Sequence, residues 1–439
     1  MIRMFNMLWV FLLWGALTTI KAQDIMTIED AIRMGLENNH NIQIARNEAG
    51  IGSINKSLGN AGFLPSLQVS GSQINVFEDN RVINEGINQG ALSSNILTRT
   101  GAVTLDWTIF DGLRMFTTYS RLSELQNLGD LEARMQIEST ITTILEAYYE
   151  IVRHEKSLGV LINSVETSEE RYQIAQTKRE LGSGSEYEVL LAQTDLNADH
   201  AAVIRQEVVL TNARMELIRL LNLNIDTNFE IVQEIRLNEP ITIEEAHAGV
   251  MRNNHSLAAA DIRARVSRLE TREVRRERYP EIDFNVGYTI DRIDTDADLF
   301  IREQVDGLGI GLTARFTLFD GFNAHRRMQI AHINQKNNLL ALDEQQKRLE
   351  TLLHAEFKNY SNTRQLVELE HENLELAEKT LEIALERFSL ATITSIELRE
   401  SQRILLDTEN RLITAQFEAK ISETELLRLS GELGRQFDF

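Results

Sequence analysis

The chain has 439 residues, 43% of them apolar, which is enough to bury a sizeable surface in two or three ordinary domains. Its formal charge of -21 excludes a protein that works by neutralising phosphates, because such a protein needs a basic surplus. With no cysteine, disulfides, thiolate metal sites, cysteine nucleophiles and the acylated cysteine of a lipoprotein are excluded as well.

The N-terminus reads as a secretory signal over residues 1–22. Arg3 gives a basic start, Met7 to Leu17 is an unbroken apolar run, and Ala22 is a small residue before the cut. That run is shorter than the ~20 residues that span a bilayer, and no later stretch is long enough either. The mature chain therefore either stays soluble in an exported compartment or enters a membrane as strands.

Beyond the signal the chain is written twice. Met26-Thr-Ile-Glu-Asp-Ala31 recurs as Ile241-Thr-Ile-Glu-Glu-Ala246, and Asn38-Asn39-His40 as Asn253-Asn254-His255, both at a shift of 215 that Pro65 and Pro280 keep (280 - 65). Phe110-Asp111-Gly112 and Phe319-Asp320-Gly321 differ by 209 (319 - 110), as do Leu181 and Leu390, Glu188 and Glu397, and Gln193 and Gln402. The segment between the prolines and these triplets is thus six residues longer (215 - 209) in the first copy. The copies span 23–223 and 241–439, with a connector at 224–240.

Each copy opens with a capping box, Thr27/Asp30 or Thr242/Glu245, whose helix is expected to run to just before Pro65 or Pro280. Hairpins follow at 67–110 and 281–319. Val103, Leu105, Trp107 and Ile109 alternate with Thr104, Asp106 and Thr108. Ile282 to Ile290 and Leu308 to Leu318 alternate in the same way, and Leu67 to Phe77 does so less cleanly. Long helices are predicted over 111–180 and 320–389, opened by Asp111 and Asp320 as caps with Gly112 and Gly321 keeping the junction unobstructed. Each would rise ~100 Å, a length that needs coiled-coil packing, for which Leu366, Leu369, Leu374, Leu376, Leu381 and Leu385 offer a stripe. Tight turns at Leu181-Gly182-Ser183-Gly184-Ser185 and Leu390-Ala391-Thr392-Ile393-Thr394 lead into second helices over 185–223 and 394–431. These helices start with capping boxes Ser185/Glu188 and Thr394/Glu397.

The strands decide the location. Each has one greasy face over about the 9 to 11 residues of a tilted transmembrane strand, and no other sheet exists to cover it. Four strands cannot close a barrel, and an open edge in lipid leaves backbone groups unsatisfied, so the edges must pair with other copies. The fold class is mainly α with a membrane β part, and Phe-Asp-Gly is where the chain leaves the barrel.

This arrangement, with "RELGSGSEYEVLLAQTDL" (179–196) and "RFSLATITSIELRESQ" (387–402), resembles the TolC-like outer-membrane efflux protein family over essentially the whole mature chain. The resemblance implies a homotrimer with a twelve-stranded (4 × 3) β-barrel continued by a long α-helical coiled-coil barrel through the periplasm of a Gram-negative bacterium. It implies a passive exit duct of a tripartite efflux or type I secretion system, working with a periplasmic adaptor and an inner-membrane pump. Adaptor contacts would fall on the tip turns, Leu181 to Ser185 and Leu390 to Thr392. Glu397 and Glu400, three apart on one helix face, match an acidic constriction ring in relatives, and Arg387 and Phe388 complete the gate candidates. Phe388 stands where a tyrosine often helps hold the closed tip, and Ala391 where glycine is usual. The alternative is a periplasmic adaptor or structural coiled-coil scaffold, which the duplicated hairpin and alternating strands oppose.

The remaining charged runs read as surface. Asp291, Asp294, Asp296 and Asp298 lack the glycine and terminal glutamate of an EF-hand and suggest an external loop. Arg263, Arg265, Arg268, Arg272, Arg275, Arg276 and Arg278, mixed with Asp261, Glu270, Glu273 and Glu277, suggest helix-surface pairing. Neither a metal site nor a nucleophile elbow, phosphate loop or zincin motif is found, so no catalytic residue, cofactor or nucleic-acid partner is assigned.

Overall fold

The computed structural model describes residues 25–84, 87–295, 301–390 and 392–436. The signal segment lies outside the described residues. In chain order the elements are β1 (Ile25–Met26), α1 (Ile28–Asn38), α2 (His40–Asn55), β2 (Ser66–Asn84), β3 (Ile87–Phe110), α3 (Arg114–Glu180), α4 (Glu186–Leu220), β4 (Glu230–Ile231), α5 (Ile243–Asn253), α6 (His255–Arg276), β5 (Glu281–Thr295), β6 (Ile301–Arg315), α7 (Asn323–Ser389), α8 (Ser395–Ser430) and α9 (Leu433–Gln436). From α1 to α4 and from α5 to α8 the same order of elements is repeated. The long helices α3 and α7 have 67 residues each.

All four capping boxes form. Thr27 and Asp30, Ser185 and Glu188, Thr242 and Glu245, and Thr394 and Glu397 exchange side-chain and backbone hydrogen bonds, each satisfying two orphan helix donors. The helix expected up to each proline is instead two helices. Asn39 caps α2 through Asn41 N and Ile42 N, and Asn254 caps α6 through Leu257 N. The repeated Asn-Asn-His is therefore a helix break, because its second asparagine serves the next helix's orphan N–H groups better than it continues the first.

The strands also depart from expectation. At 19, 24, 15 and 15 residues they are longer than a membrane crossing needs, and the fourth ends at Arg315 instead of reaching Leu318. Asp291 and Asp294 are strand residues of β5, not loop residues, while Asp296 and Asp298 lie outside the described residues.

The chain forms two compact units, and each draws segments from both copies. One comprises residues 1–37, 144–236 and 369–417, the other 38–143, 237–368 and 418–439. In the first, β1 pairs in parallel with β4, so part of the connector is a strand. The Tyr148 hydroxyl closes this small sheet, donating to Met26 O at 2.9 Å and accepting from Val232 N at 3.2 Å. Burial pushes its pKa up to about 12, which keeps it a donor throughout the useful pH range.

In the second unit, β2-β3-β5-β6 form one antiparallel sheet whose edges, β2 and β6, have no neighbour among the described residues. Ala246, Val250, Leu349, Leu353, Tyr360, Leu426 and Leu429 make its helical core. Glu423 is fully buried there, accepting from Asn238 N and Nδ2 at 3.0 Å each and from Lys420 Nζ at 2.7 Å, which anchors the end of the connector. Two arginines of α6 pair across to α3, Arg263 with Glu132 and Arg265 with Glu124, and Arg265 also takes Asp261 of its own helix, as the sequence suggests, while Glu273 takes Arg121 of α3 and Glu277 takes Arg327 of α7. Of the predicted leucine stripe, Leu366, Leu369 and Leu376 are exposed within the chain.

Candidate functional site

At the C-terminal ends of α3 and α7 the two tip turns share one hydrogen-bond scheme. Ser183 N donates to Lys178 O and Thr392 N to Arg387 O, both at 2.9 Å, and the hydroxyls of Ser183 and Thr392 donate to the same two carbonyls. In the first turn Gly182 has φ +75, which favours glycine, and a Cβ on Gly184 would lie 2.9 Å from Lys178 Cβ. Its counterpart by the 209 shift is Ile393, which packs against a hydrophobic cluster instead. Leu181 and Leu390 are exposed at the two tips, and Ala391 lies outside the described residues.

Glu397 and Glu400 share a face of α8 and are both exposed, but each has its own partner. Glu397 closes the capping box, and hydrogen bonds from Thr394 hold its carboxyl below the usual range. Glu400 takes both ends of the Arg403 guanidinium, at 2.6 and 3.0 Å, with the same effect. Arg387 is exposed. Phe388, by contrast, is 3% exposed and packs with Ala384 and Leu398, and Lys178 Nζ sits 3.7 Å from its ring centroid while donating to its carbonyl at 2.9 Å. Its role within the chain is to hold the two hairpins together.

A second link between the hairpins escaped sequence reasoning. Arg399 of α8 grips Asp199 of α4 with both Nη atoms, each at 2.8 Å, and Ser168 of α3 donates to the same carboxylate at 2.5 Å. Arg171, fully buried, donates to Asp195 at 2.6 Å, and its Nε and Nη1 have no hydrogen-bond partner among the described residues. Burial pushes the Asp199 carboxyl up, yet the Arg399 and Ser168 hydrogen bonds win and hold it below its ordinary value. Burial pulls the Arg171 guanidinium down. The spacings Ser168/Arg171 and Asp195/Asp199 do mark one face of each helix, but nothing in them points to Arg399, some 200 residues away.

At each strand-to-helix junction an aspartate stands just before the long helix, which begins at Arg114 or Asn323, three residues later than the sequence suggests. Asp111 accepts from Met115 N at 2.9 Å and Asp320 from Ala324 N at 2.7 Å. Gly112 and Gly321 have φ 72 and 68, and the residues that follow, Leu113 and Phe322, share this left-handed conformation at 66 and 64. Two consecutive left-handed residues turn the chain from strand into helix within the space between Phe110 or Phe319 and the helix start.

The sheet has two chemically different faces. Rows Leu67/Leu105/Val286/Ile310 and Val69/Val103/Tyr288/Leu308 share one side, which is largely exposed. On the other, Asn285 bonds Asp106 at 2.6 Å, Thr108 bonds Asp283 at 2.8 Å and Thr100 bonds Asp291 at 2.7 Å. An exposed apolar face on a sheet with a self-satisfied polar back is the signature of a membrane wall.

The fold is that of the outer-membrane channels. The CmeC channel of Campylobacter jejuni is 14% identical with a TM-score of 0.77, over 92% of this chain and 86% of that one. VceC of Vibrio cholerae (14%, TM-score 0.72, 92% and 96%) and the open-state MtrE channel of Neisseria gonorrhoeae (14%, TM-score 0.66, 92% and 89%) share it. No curated protein sequence matches. The family comparison matches residues 31–223 and 250–432 to "Outer membrane efflux protein", and the chain belongs to that family. It is a channel protein and not an enzyme.

Proposed function

We propose that the protein is the outer-membrane exit duct of a tripartite efflux or type I secretion system, conducting substrates handed over by an inner-membrane pump through a periplasmic adaptor. The observation that carries this reading is the four-stranded sheet, apolar on one face, with both edges open among the described residues and its strands leading into two 67-residue helices. Open edges in lipid demand partners, and three copies supply a closed barrel without any other chain. In this reading the segment at 1–22 delivers the chain to the export route.

In this reading the tips, Leu181 to Ser185 and Leu390 to Thr392, meet the adaptor, and Glu397 and Glu400 from each subunit ring the aperture, favouring cations. Arg387 flanks that ring. The decisive experiment is extraction: the mature protein stays with outer membranes until detergent is added, migrates as a trimer, and forms conducting channels in planar bilayers. Release as a monomer without detergent would return the chain to the scaffold class.

A further inference from the structure

The duplication shows within one chain a contact that a single chain leaves half made. In the second unit α6 is held from two sides. Toward α7 of its own copy, Gln345 donates to Ser256 at 3.0 Å and Thr271 donates to Ala331 O at 3.3 Å. Toward α3 of the other copy, Arg263, Arg265 and Glu273 pair with Glu132, Glu124 and Arg121. Its counterpart α2 has the α3 of its own copy beside it, where a Cβ on Gly52 would lie 3.6 Å from Gln126 Cα. The other side of α2 is open to solvent. Ile44 and Ile51 are 54% and 58% exposed, whereas Ala259 and Val266, which hold the same places in α6 by the 215 shift (259 - 215 and 266 - 215), are 0% and 8%.

The long helix α7 has an exposed side of the same kind. Arg121, Glu124 and Glu132, the α3 residues that pair with α6, correspond by the 209 shift to Ile330, Ile333 and Ala341, all exposed. Their partners Glu273, Arg265 and Arg263 correspond by the 215 shift to Leu58, Gly50 and Glu48. An ionic seam inside the chain is thus rewritten, on the outside, in mostly apolar residues. The spacings also agree. Arg263 to Glu273 climbs α6 as Glu132 to Arg121 descends α3, so these two helices are antiparallel. Ile44, Ile51 and Ile54 are seven and three residues apart along α2, and Leu340, Ile333 and Ile330 are seven and three apart down α7, each set on one helical face.

We propose that α2 of one subunit docks antiparallel on α7 of the next, with Gly50 opposite Ile333 and Leu58 opposite Ile330, the register that Arg265–Glu124 and Glu273–Arg121 set within the chain. The occupant is a second copy because the chain already shows what covers this face, namely the long helix of the other repeat. Carrying that relation from chain to chain makes a heterologous contact, which closes into a ring. Exposed apolar stripes on both sides then leave water together. This inference rests on the copies assembling into the exit duct, and adds where and by what chemistry they touch.

The test uses the full-length protein extracted in detergent, with the trimer fraction read by native mass spectrometry. Ile333→Glu changes an exposed side chain, so the subunit keeps its fold, but it sets a carboxylate in the seam and should lower the trimer fraction about tenfold. Gly50→Arg, where an added Cβ meets nothing within 4 Å, should restore trimers in the double variant by rebuilding the Arg265–Glu124 pair between subunits. The rebuilt trimer should weaken in about 1 M salt while wild type does not. A chain without cysteine allows a second, independent reading. Leu58→Cys with Ile330→Cys should be joined between subunits by a short bis-maleimide, whereas Leu58→Cys with Ala341→Cys, ~16 Å further along α7, should not. This cross-link carries the test if the charged double variant fails to assemble. Trimers indifferent to Ile333→Glu, equal cross-linking at both positions, or capture of a different protein by Leu58→Cys overturns the proposal. A wild-type chain that never forms trimers defeats the channel reading itself; wild-type trimers with no link in this register defeat this inference alone.

Discussion

The two Phe-Asp-Gly junctions have the same backbone and different surroundings. At the first, a Cβ on Gly112 would meet Tyr279 Cβ at 2.5 Å and Arg276 O at 2.9 Å. Phe63 packs edge-on against Phe116 and Tyr119 and accepts from Trp107 Nε1 at 2.9 Å. At the second, the nearest atom to such a Cβ on Gly321 is 3.7 Å away, and Phe319 and Phe322 are 72% and 74% exposed. The motif encodes the turn, but its cover comes from the next copy along: Arg276 and Tyr279 belong to the second copy's entry. By the 215 shift their counterparts are Ala61 and Leu64 (276 - 215 and 279 - 215), and the ring proposed above would place that segment of the next subunit over the second junction.

The largest expected effect breaks this asymmetry at its open side. Phe319→Asp with Phe322→Asp should cost assembly about 4 kcal/mol per subunit, removing two aromatic anchors, with little change in the subunit's own fold. Native mass spectrometry then shows monomers; persistent trimers would mean the exposed pair covers nothing. Next comes the hairpin link, where the arginine sits on the second copy and its acids on the first. Arg399→Ala leaves Asp199 without its main partner and should cost about 3 kcal/mol at neutral pH, read as a lower urea midpoint. Because Asp199 is held below 3.8 in the folded chain, its stabilisation is complete above that unfolded value and disappears as pH falls through the lower folded one. The Arg399→Ala penalty should therefore shrink once the pH is well below 3.8.

A sharper contrast between the junctions comes from alanine. Gly112→Ala adds a steric clash to the left-handed backbone and should cost about 3 kcal/mol, whereas Gly321→Ala pays only the backbone cost of about 1 kcal/mol. Equal losses in thermal unfolding would show that the two sites are equally packed. The smallest effect concerns the tips, where only the second copy carries the paired acids. Glu397→Gln with Glu400→Gln should lower cation preference in single-channel recordings. In wild type the midpoint at which that preference is lost on acidification should lie below pH 4.5, since Thr394 and Arg403 hold both carboxyls below that value.

Much of this architecture was legible because it is local and stated twice. The capping boxes, the aspartate caps and the alternation of Val103 to Ile109 each fix a conformation within a few residues, and repetition at constant shifts confirmed which signals belong together. Breaks that rely on one side chain were missed: Asn39 and Asn254 look like mid-helix polar residues until their hydrogen bonds are seen. Strand length was underread because polar strand beyond the lipid, such as Glu78 to Asn84, has no apolar alternation to announce it. At the tips the sequence singled out Phe388, Glu397 and Glu400 but neither the burial of the first nor the Arg399–Asp199 grip. Both depend on which helices become neighbours, and that is decided by packing across the two copies.

The equal 67-residue lengths of α3 and α7 carry an evolutionary constraint. One residue inserted into either alone would advance its turn by about 1.5 Å and rotate it by about 100°, spoiling the shared grip of the two hairpins. Reach can therefore be retuned only by matched edits, in whole heptads, each adding about 10 Å. If the chain is the exit duct proposed above, a lineage adapting to a wider or narrower gap between its two membranes would change this dimension in steps and in duplicate.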